Sequence, residues 1–600
     1  MRKIVTLLFG AFVTLSVTAD PIDLNQAKHV AQYFLQGKAK QRKAVTAELK
    51  LVWSDAFFSS KTRAINEAPT YYVFNTTDAP GFVVVSGDDA AYPILAYSTT
   101  QLFQADEMPE NVQTWLNGYQ QQIMWVRENP AAVSDEVKNA WERVRQGTLT
   151  PQAAEIELKT ALWNQGEPFN YLCPVFNEKR SPAGCGAVTM AIVMKYHQWP
   201  DKGEGSESYV TSTHQCPLSV VYNTPYDWTQ MPSEYIYGEA TDAQIKNVST
   251  LMFHCGVAAQ MNYDISGSGT KTAKTVIGMI QHFKYDKGAQ YLSKVSHTEA
   301  EWNALLQKEI QENRPIIYSG QQANNGSHLF ILDGYNENKY YHVNWGWGGV
   351  DNGYYLLDAL NLSNGWTYNL GQEAIIGIRP SMPDSKYCDN LGFKYVIYEG
   401  VEYKGLSSTV NTIQRDKKFY VNIGFISNLS LREWTTQLMV ALFDKDGKQK
   451  QIISGPIDKT FKVATLSALK SEPCKITTDL APGDRIRLIY KNIETGEWKW
   501  VKGGGKAPGE ILVDDPTAME RVENNANLVL SFDTKDLLQL RSLETIETVA
   551  LYALNGGKAI PEQRVHATET TLSLRSLATG TYILKVTTAN GSRRYKIHKK

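Results

Sequence analysis

The segment GCGAVTMAIVMKYHQWP (184–200) places Cys185 between two glycines, at the point where a helical pattern of apolar residues begins. The apolar positions that share one face of this predicted helix are Val188, Ile192 and Val193. The first main-chain N–H groups of a helix have no partner inside the helix, and they stabilise negative charge there. The pattern therefore predicts a thiol that ionises and attacks carbonyl groups, although Cys185 taken alone also fits a buried structural cysteine.

A thiolate nucleophile needs an imidazole within reach, and we predict that His328 supplies it. This residue stands in GSHLFILDGYNENKYYHVNWGWGG (326–349), which predicts two strands around a turn near residue 336 or 337. Residues that pair across such a turn have numbers that sum to about 672–674, so His328 is expected opposite Asn344, Trp345 or Gly346. The Asn344 amide oxygen would orient the imidazole, and the Trp345 indole would shield that hydrogen bond from water.

Other residues of these segments compete for the same roles. Asp333 has odd parity relative to His328 and is expected on the other face of its strand. His342 shares the returning strand but has no polar partner at a comparable position. His328 alone also fits an ordinary core histidine. Upstream, the segment LWNQGEPFN offers Gln165 and Asn164 as amide donors for an oxyanion, and the spacing alone does not choose between them.

The chain is too long for one hydrophobic core, since 600 residues correspond to about three to five domains. Its first residues, MRKIVTLLFGAFVTLSVTAD, combine two cations, an apolar run and small residues, which predicts a signal peptide. The predicted fold class is α+β: a small α+β domain, an α+β domain of enzyme size and two β-sandwich domains. The predicted ranges are 1–19 for the signal peptide, 20–150 and 151–382 for the α+β domains, and 383–510 and 523–600 for the β domains.

Local patterns predict the elements of these domains. Helices are predicted at 25–37, 110–128, 185–197, 241–254 and 299–312, and strands at 71–75, 81–89 and from 314 to 379. The polar stretch RQGTLTPQAAE (145–155) predicts an exposed linker, and the glycine-rich stretch VKGGGKAPGE (501–510) predicts a hinge.

Charge and cysteine content exclude several classes of protein. A formal net charge of −1 and the lack of a long Lys/Arg block exclude a nucleic-acid binder. After the predicted signal peptide, no stretch approaches the roughly 20 apolar residues that span a bilayer. Six cysteines without a C-x-x-C pair are too few for a disulfide scaffold, but one or two disulfides stay possible in an exported protein.

Taken together, these segments resemble the streptopain family of papain-like cysteine peptidases. The resemblance covers about residues 156–360 and rests on WNQGEPFN, GCGAVTMAIVMKYHQWP, RPIIYSG, SHLFILDGY and YYHVNWGWGGVDNGYYLLDAL, in the order and spacing of the family. It implies a papain-like fold with Cys185 as nucleophile and His328 as base and acid. It also implies an oxyanion hole formed by Gln165 with the Cys185 N–H, and Asn344 and Trp345 as the residues that orient and shield the imidazole.

The flanking regions resemble known parts of such precursors. YYVFNTTDAPGFVVVSGDDAAYPILAYS (71–98) is similar to the family's inhibitory prodomain, which implies that residues 20–150 inhibit the enzyme until they are removed. SGSGT (266–270) is the glycine-rich loop that would border a pocket for a hydrophobic substrate residue. The last segment looks like the C-terminal sorting domain of the type IX secretion route, whereas the domain at 383–510 is either a spacer or a binding module.

We therefore predict a secreted cysteine endopeptidase, made as an autoinhibited zymogen, that cleaves proteins through a thioester and uses no metal or organic cofactor. Its expected partners are protein or peptide substrates, its own prodomain and the secretion machinery. Its expected location is extracellular or on the cell surface. Two other functions stay open: a non-catalytic surface adhesin or inhibitor that kept the fold, and an acyltransferase or amidase that uses the same Cys–His pair.

Overall fold

The structure is a computed structural model, and it describes most of the chain after the predicted signal peptide at 1–19, which lies outside the described residues. The described ranges are 20–36, 48–55, 68–129, 133–152, 154–236, 238–294, 297–321, 327–361, 371–398, 401–410, 412–463, 465–504, 507–513, 528–534, 537–553, 558–578, 580–588 and 591–599.

The N-terminal region is a small α+β unit, as predicted. Its elements are α1 (Leu24–Gln36), β1 (Leu49–Ser54), β2 (Tyr71–Thr76), β3 (Phe82–Ser86), β4 (Ile94–Ser98), α2 (Glu110–Glu128) and α3 (Asp135–Arg145). Helix α1 buries Ala27, Val30, Ala31 and Phe34, which are the four positions that its spacing predicts. Helix α3 was not predicted; its N-cap is Ser134, whose side chain accepts a hydrogen bond from the Val137 N–H.

In its described residues, the middle region carries four α-helices and most of the strands of the central sheet. Its elements are β5 (Ile156–Glu157), β6 (Val175–Phe176), β7 (Lys179–Arg180), α4 (Cys185–His197), β8 (Ser206–Val210), β9 (Pro217–Val221), α5 (Asp242–Ala258), α6 (Thr272–His282), β10 (Gln290–Ser293), α7 (Glu299–Gln311), β11 (Ile316–Gln321), β12 (Ser327–Tyr335), β13 (Tyr341–Asn344), β14 (Gly353–Tyr355) and β15 (Glu373–Ile376). The predicted helices at 185–197, 241–254 and 299–312 are confirmed. Both α5 and α7 begin with a capping box, at Thr241 and Thr298.

One sheet of eleven strands runs through both regions. Its order is β1-β2-β3-β4-β14-β13-β12-β11-β15-β10, with β5 paired to β12. The two regions join where β4 pairs antiparallel with β14, through Tyr97 with Tyr354 and Ala96 with Tyr355. The N-terminal region therefore extends the sheet of the middle region and shares its core.

The two faces of the sheet contact different helices. On one face, Phe330 and Leu332 of β12 share a core with α2 and α7. On the other face, Leu329 and Ile331 share a core with α4, α5 and α6. Successive residues of β12 thus alternate between the α2 face and the α4 face, as the pleat of a strand requires.

The remaining chain is built from strands, as predicted. The first group is β16 (Leu391–Phe393), β17 (Val396–Tyr398), β18 (Val401–Tyr403), β19 (Leu406–Ser408), β20 (Lys418–Ile423), β21 (Ile426–Asn428), β22 (Trp434–Phe443), β23 (Gln449–Phe461), β24 (Leu466–Ser467), β25 (Glu472–Lys475), β26 (Arg485–Lys491), β27 (Trp498–Trp500) and β28 (Glu510–Leu512). The second group is β29 (Leu528–Thr534), β30 (Leu537–Ala553), β31 (Lys558–Ser573), β32 (Gly580–Thr588) and β33 (Gly591–Lys599), which form one five-stranded sheet. Each group has its own hydrophobic core.

Two predicted connections are wrong in part. In the stretch 501–510, the Val501 N–H donates to the Leu488 carbonyl at 2.8 Å, and Val501 and Ala507 are fully buried, so the described residues belong to the first β domain and do not form a hinge. In the predicted linker 145–155, Leu149 is buried. These segments pack because glycine and small residues allow the main chain to approach its neighbours closely.

Candidate active site

Cys185 is the first residue of α4, as its sequence pattern predicts. The N-cap, Gly184, has a φ of +87°, and a Cβ there would lie 2.6 Å from the Ser268 carbonyl oxygen, so the position requires glycine. The glycine-rich loop 266–270 therefore lies directly against the start of α4. Burial raises the pKa of the Cys185 thiol, while hydrogen bonds from the main-chain N–H groups of Leu329, Gly186 and Cys185 itself lower it in part.

His328 lies next to Leu329 in the sequence but points to the opposite face of the sheet. It pairs with Gly320 of β11, and a Cβ on Gly320 would lie 2.9 Å from the Trp115 ring of α2. Because paired residues project from the same face, His328 faces α2. Its Nε2 lies 3.7 Å from a carboxylate oxygen of Glu110, the first residue of α2. Burial lowers the pKa of His328, and the charge of Glu110 raises it in part.

Glu110 acts on both predicted catalytic residues. Its carboxylate is 65% exposed and, besides its contact with His328, its charge raises the pKa of the Cys185 thiol. A carboxylate at this position favours a protonated imidazole and disfavours a thiolate. The charge of Glu110 therefore opposes formation of the Cys185 thiolate.

The predicted register of the β12–β13 hairpin is wrong. Asn344 pairs with Ile331, not with His328, because the two strands pair around residue 338, as Tyr335 with Tyr341, and not around residue 336 or 337. In addition, Asp333 is an extra residue between Leu332 and Gly334, which moves the partner of Asn344 by one, from Leu332 to Ile331. Such a β-bulge shifts the pairing and turns one side chain toward a new neighbour. Asn344 therefore projects from the α4 face, three residues along the strand from His328 and on the opposite side.

Asn344 and Trp345 have partners that the sequence did not predict. The Asn344 amide nitrogen donates to the Thr160 hydroxyl and to the Ala161 carbonyl, both at 2.9 Å, and its amide oxygen accepts from the Gly346 N–H at 3.1 Å. The Trp345 ring packs on the α2 face, 4.7 Å from the Phe330 ring and 6.2 Å from that of Trp115. In this structure Trp345 thus covers the α2 face of the sheet and does not shield an Asn344–His328 bond.

Gln165 is buried and tied to the segment that precedes the cysteine. Its carbonyl accepts a hydrogen bond from the Ala183 N–H at 2.9 Å, two residues before Cys185. The side chain of its neighbour Asn164 turns back, and its amide oxygen accepts from the Gln165 N–H at 2.6 Å. Of the two amides that the sequence offered, Asn164 is engaged in this local turn.

The bulge at Asp333 creates a buried ion pair that the sequence did not predict. The Asp333 carboxylate lies 2.6 Å from Nδ1 of His342, and its other oxygen accepts from the Thr160 hydroxyl. The expectation that His342 has no polar partner is therefore wrong. Burial is the largest single effect and lowers the pKa of His342, but the charge and the hydrogen bond of Asp333 together with the charge of Glu157 outweigh it, so the pKa of His342 is raised.

The N-terminal region also contacts the loop after β13. The Asn111 side chain donates to the Trp345 carbonyl at 2.7 Å, and the Gln104 N–H donates to one carboxylate oxygen of Asp351 at 2.8 Å. The other oxygen of Asp351 is buried and has no hydrogen-bond partner among the residues that the structure describes. Burial accordingly raises the pKa of Asp351 to about 6.

Within the described ranges, no group of three or more His, Cys, Asp or Glu side chains is arranged to hold a metal ion. All six cysteines are free thiols, and Cys185 is partly exposed. No helix of the described residues has both the length and the apolar composition to cross a bilayer.

Comparisons with known proteins identify the family of the chain. Residues 163–355 match the profile of the peptidase C10 family. Streptopain from Streptococcus pyogenes is 31% identical over 332 residues, which cover 52% of this chain and 80% of streptopain. The chain belongs to the peptidase C10 family.

Two further proteins are similar to this C10 peptidase. Thiol protease/hemagglutinin PrtT from Porphyromonas gingivalis is 30% identical over 376 residues, which cover 60% of this chain but only 42% of PrtT. The solved structure of a prointerpain A fragment from Prevotella intermedia is 29% identical, covers 52% of this chain and 97% of the fragment, and gives a TM-score of 0.42.

The flanking regions of the C10 peptidase match two other profiles. Residues 19–123 match the Spi protease inhibitor, and residues 532–600 match a secretion system C-terminal sorting domain. The predictions of a cysteine peptidase zymogen, of an inhibitory prodomain and of a sorting domain are thereby confirmed, and the sorting domain indicates export. Glu110, Thr160 and Asp351 were not predicted as functional residues, because isolated polar residues carry no signal until the fold brings them to the site.

Proposed function

We propose that this chain is an exported endopeptidase that cleaves proteins, with Cys185 as nucleophile and His328 as general base and acid. The observation that carries the proposal is the Cys185 thiol at the first residue of α4, hydrogen-bonded by the N–H of Leu329, the residue after His328. A thiolate at a helix N-terminus, beside a strand that carries an imidazole, is the arrangement that acyl transfer to sulfur requires.

In the proposed reaction, the Cys185 thiolate attacks the peptide carbonyl and a C–S bond forms. The His328 imidazolium gives its proton to the leaving amine as the C–N bond breaks, which leaves a thioester. Water then attacks the thioester and gives a proton to His328, and the carboxylic acid and the thiolate are released. The Gln165 side chain and the Cys185 N–H are the proposed donors to the oxyanion. The hydrogen bond between Gln165 and Ala183 supports this role, because it fixes Gln165 relative to Cys185.

The contacts of α2 support an inhibited precursor. Cys185 belongs to the α4 face of the sheet, whereas His328 lies on the α2 face beside Glu110 and Trp115. We infer that removal of α2 lets the His328 side chain cross to Cys185. Asn344 is then the proposed acceptor for the imidazole N–H, since it already projects from the α4 face, and Trp345 is proposed to shield that pair.

The proposal assigns the other regions as well. The loop 266–270 is proposed to border the pocket for a hydrophobic substrate residue, because it touches the N-cap of α4. The proposed ranges stay 1–19 for a signal peptide, 20–150 for the prodomain, 151–382 for the peptidase, 383–510 for a β domain and 523–600 for the sorting domain. The sorting domain is proposed to engage the secretion machinery, which would deliver the enzyme outside the cell or to its surface.

Self-processing of the purified chain tests the proposal. With reductant, the wild-type protein should yield a form that lacks about 130 N-terminal residues and hydrolyses casein, whereas Cys185→Ala should stay full length and inactive. Cys216→Ala is the matched control, because Cys216 is also a partly exposed free thiol, and it should behave as wild type. Equal processing of the wild-type and Cys185→Ala proteins would refute self-activation.

Labelling identifies the nucleophile and separates the other functions. Mass spectrometry after treatment of the activated protein with an epoxide thiol inhibitor should find the label on Cys185 and define the mature ends. Loss of casein hydrolysis in proportion to the label is expected for a peptidase. A wild-type protein with a reactive Cys185 but no hydrolysis would favour the acyltransferase, and one with an unreactive thiol would favour the adhesin.

A further inference from the structure

A chain of buried polar groups runs along the α4 face of the β12–β13 hairpin and ends at Asn344. His342 lies 2.6 Å from Asp333, the Thr160 hydroxyl donates to the second oxygen of Asp333, and the Asn344 amide nitrogen lies 2.9 Å from the Thr160 oxygen. Asp333 and Asn344 are 2% and 1% exposed, so water does not replace these partners. The groups therefore depend on one another for their hydrogen bonds.

The direction of each hydrogen bond follows from the charge at one end. The Asp333 carboxylate is an acceptor, so the Thr160 hydroxyl must give its one proton to Asp333. The Thr160 oxygen is then an acceptor and fixes the amide nitrogen of Asn344 on its side. The Asn344 oxygen must consequently point the other way, where it accepts from the Gly346 N–H. The Ala161 carbonyl accepts from the same amide nitrogen at 2.9 Å, so it and the Gly346 N–H favour the same orientation that Thr160 favours.

The far end of the chain is the contact between His342 and Asp333. Asp333 raises the pKa of His342 in spite of burial, and the neighbouring Glu157 raises it further while Lys159 lowers it. One oxygen of Asp333 lies 2.6 Å from Nδ1 of His342, and the other accepts from the Thr160 hydroxyl. This end of the chain thus sets the direction of the Thr160 hydroxyl.

We propose that Thr160, Asp333 and His342 are positioning residues that, together with the Ala161 carbonyl and the Gly346 N–H, hold Asn344 with its amide oxygen toward His328. The inference rests on the proposed function, in which His328 moves next to Cys185 after the prodomain leaves. The Asn344 oxygen has two lone pairs and uses one for Gly346, so the other is free for the imidazole N–H among the described contacts. A reversed amide would set N–H against N–H and would destabilise the imidazolium.

Thr160→Val tests the proposal, because valine keeps the shape of threonine and removes the hydroxyl. In the full chain after activation, normalised to the Cys185 label, kcat/KM should fall about 10-fold to 100-fold, which corresponds to one lost hydrogen bond to a charged group. The loss should lie in kcat with KM unchanged, and the alkaline limb of the pH profile should move to lower pH, because the imidazolium is less stable. Thr160→Ser restores the hydroxyl and should stay within about twofold of wild type.

A double-mutant cycle with Asn344→Ala separates positioning from general stability. If Thr160 acts only through Asn344, Thr160→Val should change kcat/KM by less than about twofold in the Asn344→Ala background. Equal losses in both backgrounds, or a Thr160→Val enzyme with wild-type kcat/KM, would overturn the proposal. Thr436→Val, which removes a buried hydroxyl in the first β domain, is the control and should leave kcat/KM unchanged.

Asp333→Asn provides an independent variant if Thr160→Val does not fold. An uncharged amide can give or accept a hydrogen bond and no longer fixes the Thr160 hydroxyl, so the same loss and the same cycle are expected. An inactive wild-type enzyme would refute the proposed function itself. An active wild type with additive Thr160 and Asn344 losses would refute the positioning role alone.

Discussion

On the α4 face of the β12–β13 hairpin, the polar side chains find all their partners within the peptidase domain, whereas the α2 face is completed by the prodomain. The first face carries the Asp333–His342 pair and its link to Asn344. The second face places Trp115, Asn111 and Glu110 of α2 against residues of the peptidase. The same two strands thus form hydrogen bonds within the peptidase on one face and contacts with the prodomain on the other.

The difference between the two faces indicates which contacts are removed on activation. The hydrogen bonds that join Asn344, Thr160, Asp333 and His342 involve no residue of α2, so we expect them to remain when α2 is removed. On the α2 face, the Phe330 and Trp345 rings lose the Trp115 ring that packs on them. Inhibition therefore depends on contacts of the second face, while stability of the hairpin depends on the first.

The largest expected effect concerns the Asp333–His342 pair on the α4 face. Asp333→Ala in the Cys185→Ala zymogen removes the buried carboxylate that contacts both His342 and the Thr160 hydroxyl, and should lower the free energy of unfolding of the peptidase domain by about 3–5 kcal/mol. Denaturant unfolding measures this loss. Lys138→Ala, which removes an exposed ion pair with Asp135 on α3, is the control and should have no measurable effect. A loss under about 1 kcal/mol would mean that the pair does not stabilise the hairpin.

The next prediction concerns the contacts of the prodomain on the α2 face. Trp115→Ala removes an indole that packs on Trp345 and Phe330, and should weaken the prodomain contact by about 3 kcal/mol. In an otherwise wild-type chain, self-processing should become faster, which a time course with reductant measures. Trp498→Ala, on an exposed edge of the first β domain, should process at the wild-type rate. Unchanged processing of Trp115→Ala would argue that α2 is not the inhibitory element.

The stability of the zymogen should also depend on pH through Asp351, which the prodomain contacts. The pKa of Asp351 is raised from its ordinary value to about 6, so its contribution to zymogen stability is present at pH below about 4 and is lost as the pH rises to about 6. The loss should approach about 3 kcal/mol, from 1.36 kcal/mol per pH unit. Asp351→Asn removes the titrating group and should flatten this part of the curve. Thermal unfolding between pH 4 and 7 measures the stability of the Cys185→Ala zymogen with and without the Asp351→Asn substitution. If both proteins lose the same stability over this range, Asp351 is not the titrating group.

The smallest expected effect lies at the exposed end of α2. Glu110→Gln removes the charge that raises the pKa of Cys185, so the zymogen thiol should react with iodoacetamide about two to three times faster at neutral pH. Because Glu110 is largely exposed, 0.5 M salt should reduce the difference. An equal rate for both proteins at low salt would show that Glu110 does not control the thiol.

Periodic patterns predicted the elements of the site but not their pairing. The bounds of α2 and α4 follow from apolar spacing, and Cys185 is the first helical residue as predicted. The predicted register of β12 against β13 failed because the turn is centred on residue 338 and not on 336 or 337. The bulged residue Asp333 then shifts the pairs beyond it by one, and neither feature leaves a trace in a period of two. The contact of His342 with Asp333 was missed for the same reason.

Long-range contacts set the second limit on prediction. Nothing in the alternation of β4 or β14 indicates that Tyr97 pairs with Tyr354, because the pairing of strands this short is specified by packing from both regions. Glu110 was visible only as the start of a helix. Its role depends on the docking of α2 over Gly320, where the missing side chain makes room for Trp115.

The strand pairing of β4 with β14 has a consequence for the timing of activation. A cut in the connecting chain breaks one covalent bond but leaves every hydrogen bond of the shared sheet in place. After the cut, the prodomain and the peptidase are two molecules in a binding equilibrium. The cut enzyme therefore stays inhibited in concentrated solution and becomes active on dilution or when the released prodomain is degraded. Cleavage would then be necessary but not sufficient for activity, and dilution of the enzyme away from the cell would let the prodomain dissociate.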